Sequence, residues 1–145
     1  VLAGPLGWRG EELLESARPI KGRKGRVIFT GALEERELAV LLKGAALAVI
    51  PSLYEGFCLP MVEAMACGVA TVASRSSCLP EVSGDVLRYF DPESVEEMAN
   101  CIETVLASDA VRKEIAGNGV LRAQRFDWRR SAEETLQVLM AARKD

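Results

Sequence analysis

The chain has 145 residues, of which about half are apolar and about a quarter are charged, a balance that is ordinary for one soluble globular domain. Its net charge of −3 at pH 7 gives no basic surface of the kind that binds nucleic acid. No apolar run approaches the ~18 residues that a membrane-spanning helix needs. We therefore expect no nucleic-acid partner and no transmembrane segment.

Cysteine and histidine usage narrows the chemistry further. The chain has four cysteines without a CxxC pair and no histidine, so we expect no bound metal and no disulfide framework. Without histidine, this chain alone cannot build a Ser–His or Cys–His nucleophile. The cysteines, which we expect as buried or loop thiols, are Cys58, Cys67, Cys78 and Cys101.

Short apolar runs alternate with longer segments of helical periodicity. Strands are predicted at residues 1–4, 27–30, 47–50, 70–73 and 86–90. Helices are predicted after Gly10, over residues 34–44, from Pro60 onward, over 95–106, over 111–121 with loosening at Gly117 and Gly119, and around 132–140. The basic segment KGRKGR is predicted as a solvated connector. Short strands that alternate with longer helices predict βαβ units and a parallel sheet, the α/β class.

Residues 48–74 organise the chain. They predict a buried strand that ends at Pro51, a turn-rich loop, a helix and a second buried strand. A loop that leaves a parallel strand and enters a helix N-terminus can bind an anion, because the first amides of the helix have no intrahelical partner and the macrodipole is positive there. Gly56 lets a ligand approach the backbone. Pro60 suits the first helical position, where an N–H would have no partner anyway.

Two carboxylates, Glu55 and Glu63, lie in this stretch with seven residues between them. Both could have ordinary roles, Glu55 as a solvated loop residue and Glu63 as a residue that complements the helix dipole. The string EGFCLPMVE favours a binding role, because it joins the carboxylates to a flexible glycine, the apolar surface of Phe57 and a proline helix start. A carboxylate one turn into a helix can hold vicinal hydroxyls, as one does on the ribose of dinucleotide-binding folds.

The E-x7-E pattern, followed by EAMACG and LPEV, resembles the C-terminal half of the group 1 retaining glycosyltransferases, which have the GT-B fold. The resemblance covers nearly the whole chain. It implies a Rossmann-like parallel sheet flanked by helices and makes residues 1–145 a nucleotide-sugar (donor) binding domain. It also implies that this domain is incomplete at its N-terminus. The family's first strand–helix unit, with the Arg and Lys that neutralise the diphosphate, and the N-terminal acceptor domain are expected ahead of Val1.

The resemblance assigns roles to individual residues. Glu63 would bond the ribose hydroxyls of the donor, and Glu55, as the catalytic residue, would lie beside the donor sugar and the leaving phosphate. Gly31 and Leu33, at a strand end, would lie near the base. Contacts to the sugar and diphosphate would come from the backbone amides of Gly56, Phe57, Cys58 and Leu59.

Cys58 departs from the family pattern, which most often has glycine at this position. A Cβ here would narrow the approach to the donor, although a negative φ would make it tolerable. A redox or covalent role is the alternative for this thiol. The structure of the loop is therefore needed to decide what Cys58 does.

The activity that the resemblance implies is transfer of a hexose from a UDP-, GDP- or ADP-sugar to an acceptor hydroxyl with retention of configuration. No Asp-x-Asp motif occurs, which agrees with metal-independent chemistry, and no cofactor is expected. The acceptor, a sugar, lipid or glycan, would bind through the absent N-terminal domain, so these residues alone should be inactive. The expected location is cytoplasmic, or peripheral at the inner membrane for the full-length protein.

Three other functions stay open. Another GT-B enzyme, such as a nucleotide-sugar epimerase, would use histidines and further acids in the cleft, which this half lacks. A glycoside hydrolase would use the glutamate pair directly, with carboxyls that face each other about 5–9.5 Å apart. A non-catalytic nucleotide-binding module would bind the donor without turnover.

Overall fold

The computed structural model describes residues 1–7, 10–17 and 26–143. They fall into two compact units, Val1–Leu41 and Leu42–Asp145. All but the last residue of the basic segment KGRKGR lies outside the described residues. Within the described part of the chain, no helix is long and apolar enough to cross a bilayer.

The first unit contains the short helix α1 (Gly10–Ser16). In place of the two strands predicted for this unit, the structure has two isolated backbone bridges. Leu2 pairs in parallel with Phe29, and Gly4 pairs in antiparallel fashion with Gly31. The strand predictions here are wrong in extent, because a pairing of only two strands is marginal and only single residues of the two segments pair.

Helix α2 (Glu35–Lys43) agrees with the helix predicted over residues 34–44. The backbone amide that precedes it, from Glu34, donates to the Glu37 carboxylate at 2.9 Å. This bond pairs an amide that has no intrahelical acceptor, as in a capping box. Lys43 in the last turn complements the negative end of the helix dipole.

The second unit is built on a three-stranded parallel sheet in the order β1-β2-β3, formed by Ala48–Ile50, Thr71–Ser74 and Arg88–Phe90. Ile50 pairs with Ala73, so β1 and β2 end at nearly the same level. Every residue of the central strand β2 is buried, as expected for a parallel sheet that is covered on both faces. The predicted α/β class is confirmed.

Helices connect and cover these strands. They are α3 (Leu59–Ala66), α4 (Leu79–Ser83), a 3-10 turn (Gly84–Val86), α5 (Val95–Leu106), α6 (Asp109–Ala123) and α7 (Trp128–Ala142). The 3-10 turn takes the first residue of the strand predicted over 86–90, so β3 begins later. Helices α5, α6 and α7 each start at a side chain that accepts a hydrogen bond from the amide three residues on; these N-caps are Ser94, Ser108 and Asp127.

The core of the second unit lies around α3, α6 and the sheet. Met61 and Met65 of α3 and Phe90 of β3 are completely buried. A Cβ on Gly119 would lie only 3.3 Å from Met65 Cγ, so glycine lets α6 approach α3 closely. The loosening predicted for α6 at its two glycines is not observed, because the helix runs unbroken through Gly117 and Gly119. Packing against α3 offsets the low helix propensity of glycine.

Helix α7 contrasts with this core. It forms where a final helix was predicted, but none of its residues is buried. Its apolar side chains are exposed to solvent, among them Trp128, Leu136, Leu139 and Met140. Its regular start comes from the Asp127 cap rather than from packing.

Candidate functional site

Two loops leave the same edge of the parallel sheet in the second unit. Residues 51–58, which we name the glycine loop, join β1 to α3. Residues 74–78, which we name the serine turn, include the last residue of β2 and join it to α4. Both loops follow the carboxyl ends of their strands, and this edge is where open α/β sheets bind ligands.

The end of the glycine loop carries unpaired backbone donors. In the part of the chain that the structure describes, the amides of residues 56–59 have no hydrogen-bond acceptor. Helix α3 begins at Leu59, one residue earlier than predicted, with Pro60 second, and the Cys58 side chain makes no capping bond. A Cβ on Gly56 would meet nothing within 4 Å, so the space beside it is open. Consecutive free amides at a helix N-terminus form a place where an anion can bind.

Glu63 lies on the exposed face of α3. Leu59 at the start of the helix is exposed on the same face, whereas Met61 and Met65 are buried on the opposite one. Helical side chains lean toward the N-terminus of their helix, so the Glu63 carboxylate is directed toward the end with the unpaired amides. Among the described residues it has no hydrogen-bond or ion-pair partner. It is therefore available to a ligand bound at that end.

Glu55 lies in the middle of the glycine loop and is half-buried. The hydroxyl of Ser52 donates to Oε1 of Glu55 at 2.8 Å. The other carboxylate oxygen has no partner within the described ranges. One oxygen is thus fixed by the loop itself while the other remains free to act on a ligand.

Cys58 closes the glycine loop with φ +70°, a left-handed conformation that favours glycine. The negative φ that would have made a side chain easy to place is therefore not present. The side chain is nevertheless only 4% exposed and belongs to the hydrophobic core. The thiol is accommodated inward, and it does not occupy the solvent side of the loop.

Burial raises the pKa of the Cys58 thiol, and the nearby Glu55 and Glu63 carboxylates raise it further against an opposing effect of the Met61 amide. Both carboxylates therefore lie close enough to act on one group at the start of α3. A thiol with a raised pKa is a poor nucleophile at neutral pH. The environment of Cys58 argues against a redox or covalent role.

The serine turn contacts the backbone of the glycine loop at several points. Ser74 Oγ donates to the Ser52 carbonyl at 2.5 Å, and Ser76 Oγ donates to the Leu53 carbonyl. Ser77 Oγ accepts from the Glu55 amide at 3.0 Å and donates to the Glu55 carbonyl at 2.8 Å. The sequence analysis predicted none of these contacts, although SRSSC contains three serines. The density of hydroxyls was the signal available.

The side chain of Phe57 also packs against an aromatic residue from another part of the second unit. Its ring meets the ring of Phe126, after α6, edge to face with centroids 5.2 Å apart. Arg122 lies over Phe126 at 5.6 Å and donates to the carbonyls of Glu81 and Val82 at the end of α4. Phe57 is thus held by an aromatic partner and is only partly open to solvent.

The remaining predicted site residues lie elsewhere. Gly31, with φ +69°, and Leu33 belong to the first unit and are half-buried there. A cavity of about 400 Å³ lies beside β3 and α5, lined by Arg75, Arg88 and Asn100 among others, and no residue of the glycine loop contributes to it. The structure thus brings together Glu55, Glu63 and the amides of residues 56–59 around the start of α3.

Comparisons with known proteins agree on a family. Residues 1–122 match the model of the family described as glycosyl transferases group 1. The chain is 34% identical over 139 residues to O-antigen chain mannosyltransferase B of Escherichia coli, covering 95% of this chain and 36% of that protein. It is 42% identical over 113 residues to the MMP alpha-(1->4)-mannosyltransferase of Mycolicibacterium hassiacum, covering 75% of this chain and 28% of that protein.

A solved structure gives the same result at the level of the fold. The structure of the Anabaena protein HepE in complex with UDP-glucose superposes on this chain with a TM-score of 0.84 at 26% identity. The match covers 97% of this chain and 40% of the HepE chain. The chain spans 36% of the length of the Escherichia coli mannosyltransferase B and 28% of that of the Mycolicibacterium hassiacum enzyme, and only 15–16% of the length of other mannosyltransferases that it matches.

Proposed function

This chain belongs to the group 1 glycosyl transferase family, and we propose that its second unit binds a nucleoside diphosphate sugar as the donor half of a hexosyltransferase. The end of the glycine loop would hold the diphosphate, and Glu63 would hold the ribose. Relatives named as mannosyltransferases and the UDP-glucose complex of HepE support a sugar-nucleotide donor.

One observation carries the proposal. Among the described residues, four consecutive amides without acceptors lie at the start of α3, and a carboxylate without a partner lies one turn further along the same helix. A diphosphate needs several converging donors, and the hydroxyls of a ribose need an acceptor a short distance away. The combination matches the two chemical halves of a nucleoside diphosphate, whereas a helix start that served only the fold would not require Glu63.

For the transfer step we infer that the bond from the sugar to the diphosphate breaks while the acceptor hydroxyl attacks the same face of the sugar and its proton passes to the departing diphosphate, so that configuration is retained. Charge that develops on the diphosphate would be stabilised by the amides of residues 56–59 and the dipole of α3. This stabilisation requires no metal ion. Glu55, with one oxygen fixed by Ser52, would act beside the donor sugar.

The rest of the whole protein's activity would come from outside the second unit. Gly31 and Leu33 would lie near the base, and the acceptor, a sugar, lipid or glycan, would bind through an N-terminal domain. We propose a cytoplasmic location, or a peripheral one at the inner membrane. The proposed reaction needs no cofactor beyond the donor substrate.

Calorimetry on the complete natural polypeptide tests the ribose role, with UDP, GDP and ADP as probes. Glu63→Ala should weaken binding of the preferred nucleotide about 10- to 100-fold, because a hydrogen bond to a charged group contributes about 1.5–3 kcal/mol. Glu103→Ala, which removes an exposed glutamate from α5, is the matched control and should leave the affinity unchanged. An unchanged affinity in Glu63→Ala would show that this carboxylate does not bind the ribose.

A further inference from the structure

Ser77 is the most unusual residue of the serine turn. Its φ of +46° lies in the left-handed region, and apart from Cys58 it is the only non-glycine residue with positive φ among the described residues. Side chains disfavour this conformation, and residues held in it concentrate at functional sites. The conformation accompanies a specific set of contacts, because the Ser77 hydroxyl bridges the amide and the carbonyl of Glu55.

The backbone of Glu55 depends on these contacts. Within the described residues, no backbone–backbone hydrogen bond is made by residues 51–57. Both backbone polar groups of Glu55 are instead paired with side chains 22 and 23 positions later, since Cys78 Sγ also lies 3.2 Å from the Glu55 carbonyl. Among the described residues, the serine turn thus supplies every hydrogen bond that the Glu55 backbone makes.

We propose that Ser77 is a positioning residue that holds Glu55 in its catalytic place, an inference that rests on the function proposed above. The Ser77 hydroxyl fixes the Glu55 backbone, and Ser52 fixes the carboxylate. Ser74 restrains the start of the glycine loop through its hydrogen bond to the Ser52 carbonyl. Backbone and side chain of Glu55 are thus restrained together, and a catalytic group needs such restraint because a displacement of about 1 Å can cost about 100-fold in rate.

This role differs from a purely structural one in what it predicts for two substitutions. Ser77→Ala removes the hydroxyl and keeps a side chain in the left-handed conformation. Ser77→Gly removes the hydroxyl and also removes the strain, because glycine adopts positive φ readily. A structural role predicts that glycine rescues the enzyme, whereas a positioning role predicts that both variants are slow.

The experiment uses the complete natural polypeptide and measures nucleoside diphosphate release from UDP-glucose, GDP-mannose and ADP-glucose. We expect kcat to fall about 10- to 100-fold in both Ser77→Ala and Ser77→Gly. Affinity for the free nucleoside diphosphate should change by less than about threefold, because the amides of residues 56–59 remain. The melting temperature of Ser77→Gly should stay near that of the parent. Ser131→Ala, which removes an exposed hydroxyl from α7, is the control.

Each other outcome has a definite meaning. A parental kcat in Ser77→Gly, or a loss of kcat that follows the loss of thermal stability across the two variants, would overturn the positioning role and leave the proposed function intact. A parent protein that neither binds a nucleoside diphosphate nor releases one from any of the three donors would overturn the proposed function, and this inference with it.

Discussion

The glycine loop and the serine turn leave neighbouring strands at the same edge of one sheet, yet they contribute different things. The glycine loop has a carboxylate and unpaired amides, and no backbone–backbone hydrogen bond from residues 51–57 among the described residues. The serine turn has hydroxyls, and three of them donate to carbonyls of the glycine loop. The glycine loop thus keeps polar groups unpaired among the described residues, and the serine turn supplies hydrogen bonds that hold the glycine loop in place.

The difference shows that, in a parallel sheet, one βα loop can keep unpaired polar groups while the neighbouring βα loop supplies the hydrogen bonds that fix it. A loop that keeps its polar groups free for a ligand cannot use them to hold itself, so another element must supply the bonds. The adjacent βα loop can do so because the register of β1 and β2 brings residues 22 positions apart to the same edge. The following predictions test this division, in order of decreasing effect.

The largest effect on kcat should come from the Glu55 carboxylate of the glycine loop. Glu55→Gln preserves the acceptor for Ser52 but removes the charge, and we expect kcat to fall about 100- to 1000-fold, the usual loss when a group that stabilises a transition state is removed. Steady-state kinetics on the complete polypeptide measures this, with Glu103→Gln in α5 as the control. A kcat close to that of the parent would mean that Glu55 serves the loop and not the chemistry.

The packing of α3, the helix that follows the glycine loop, should contribute to the free energy of unfolding. Met65→Ala opens a cavity where α3 packs on Gly119, and we expect the free energy of unfolding to fall by about 2–5 kcal/mol. Met140→Ala is the matched control, because Met140 is 61% exposed on α7 and should change stability by less than about 0.5 kcal/mol. Urea denaturation distinguishes them. Equal losses would show that α3 is not the fixed base on which the loop depends.

The contact between the rings of Phe57 and Phe126 should contribute less to the free energy of unfolding. A double-mutant cycle with Phe57→Leu and Phe126→Leu should give a coupling energy of about 0.5–1.5 kcal/mol, as expected for an edge-to-face pair. Replacing the exposed Trp128 by Leu should not couple to Phe57. Additive losses in the first cycle would remove Phe126 from the residues that support the glycine loop.

The smallest net change in the free energy of unfolding is expected for replacement of Cys58. Cys58→Gly loses a buried thiol but relieves the left-handed backbone, so the free energy of unfolding should change by less than about 1 kcal/mol. Cys58→Ala loses the thiol and keeps the strain, and it should therefore be the less stable of the two. Thermal denaturation compares them. A glycine variant less stable than the alanine variant would indicate that φ +70° carries no strain here.

Much of the fold could be predicted because it depends on local patterns. Apolar runs of about four residues gave the three parallel strands, and the periodicity of residues 95–106 gave α5 with its bounds. Glu63 is exposed on α3, and its predicted role at the ribose stays a prediction. The strands predicted in the first unit were less successful, because strand pairing needs a partner that local pattern does not specify.

The sequence by itself determined the parallel α/β class, the helix that starts after the glycine loop, and the family. Only the tertiary structure decided that Ser77 bridges the backbone of Glu55, that Phe126 meets Phe57, and that Gly119 packs against Met65. The physical reason is distance along the chain. Periodicity and helix caps act between residues a few positions apart, whereas these contacts join residues 22 or more positions apart and exist only once the strands have paired and the helices have packed.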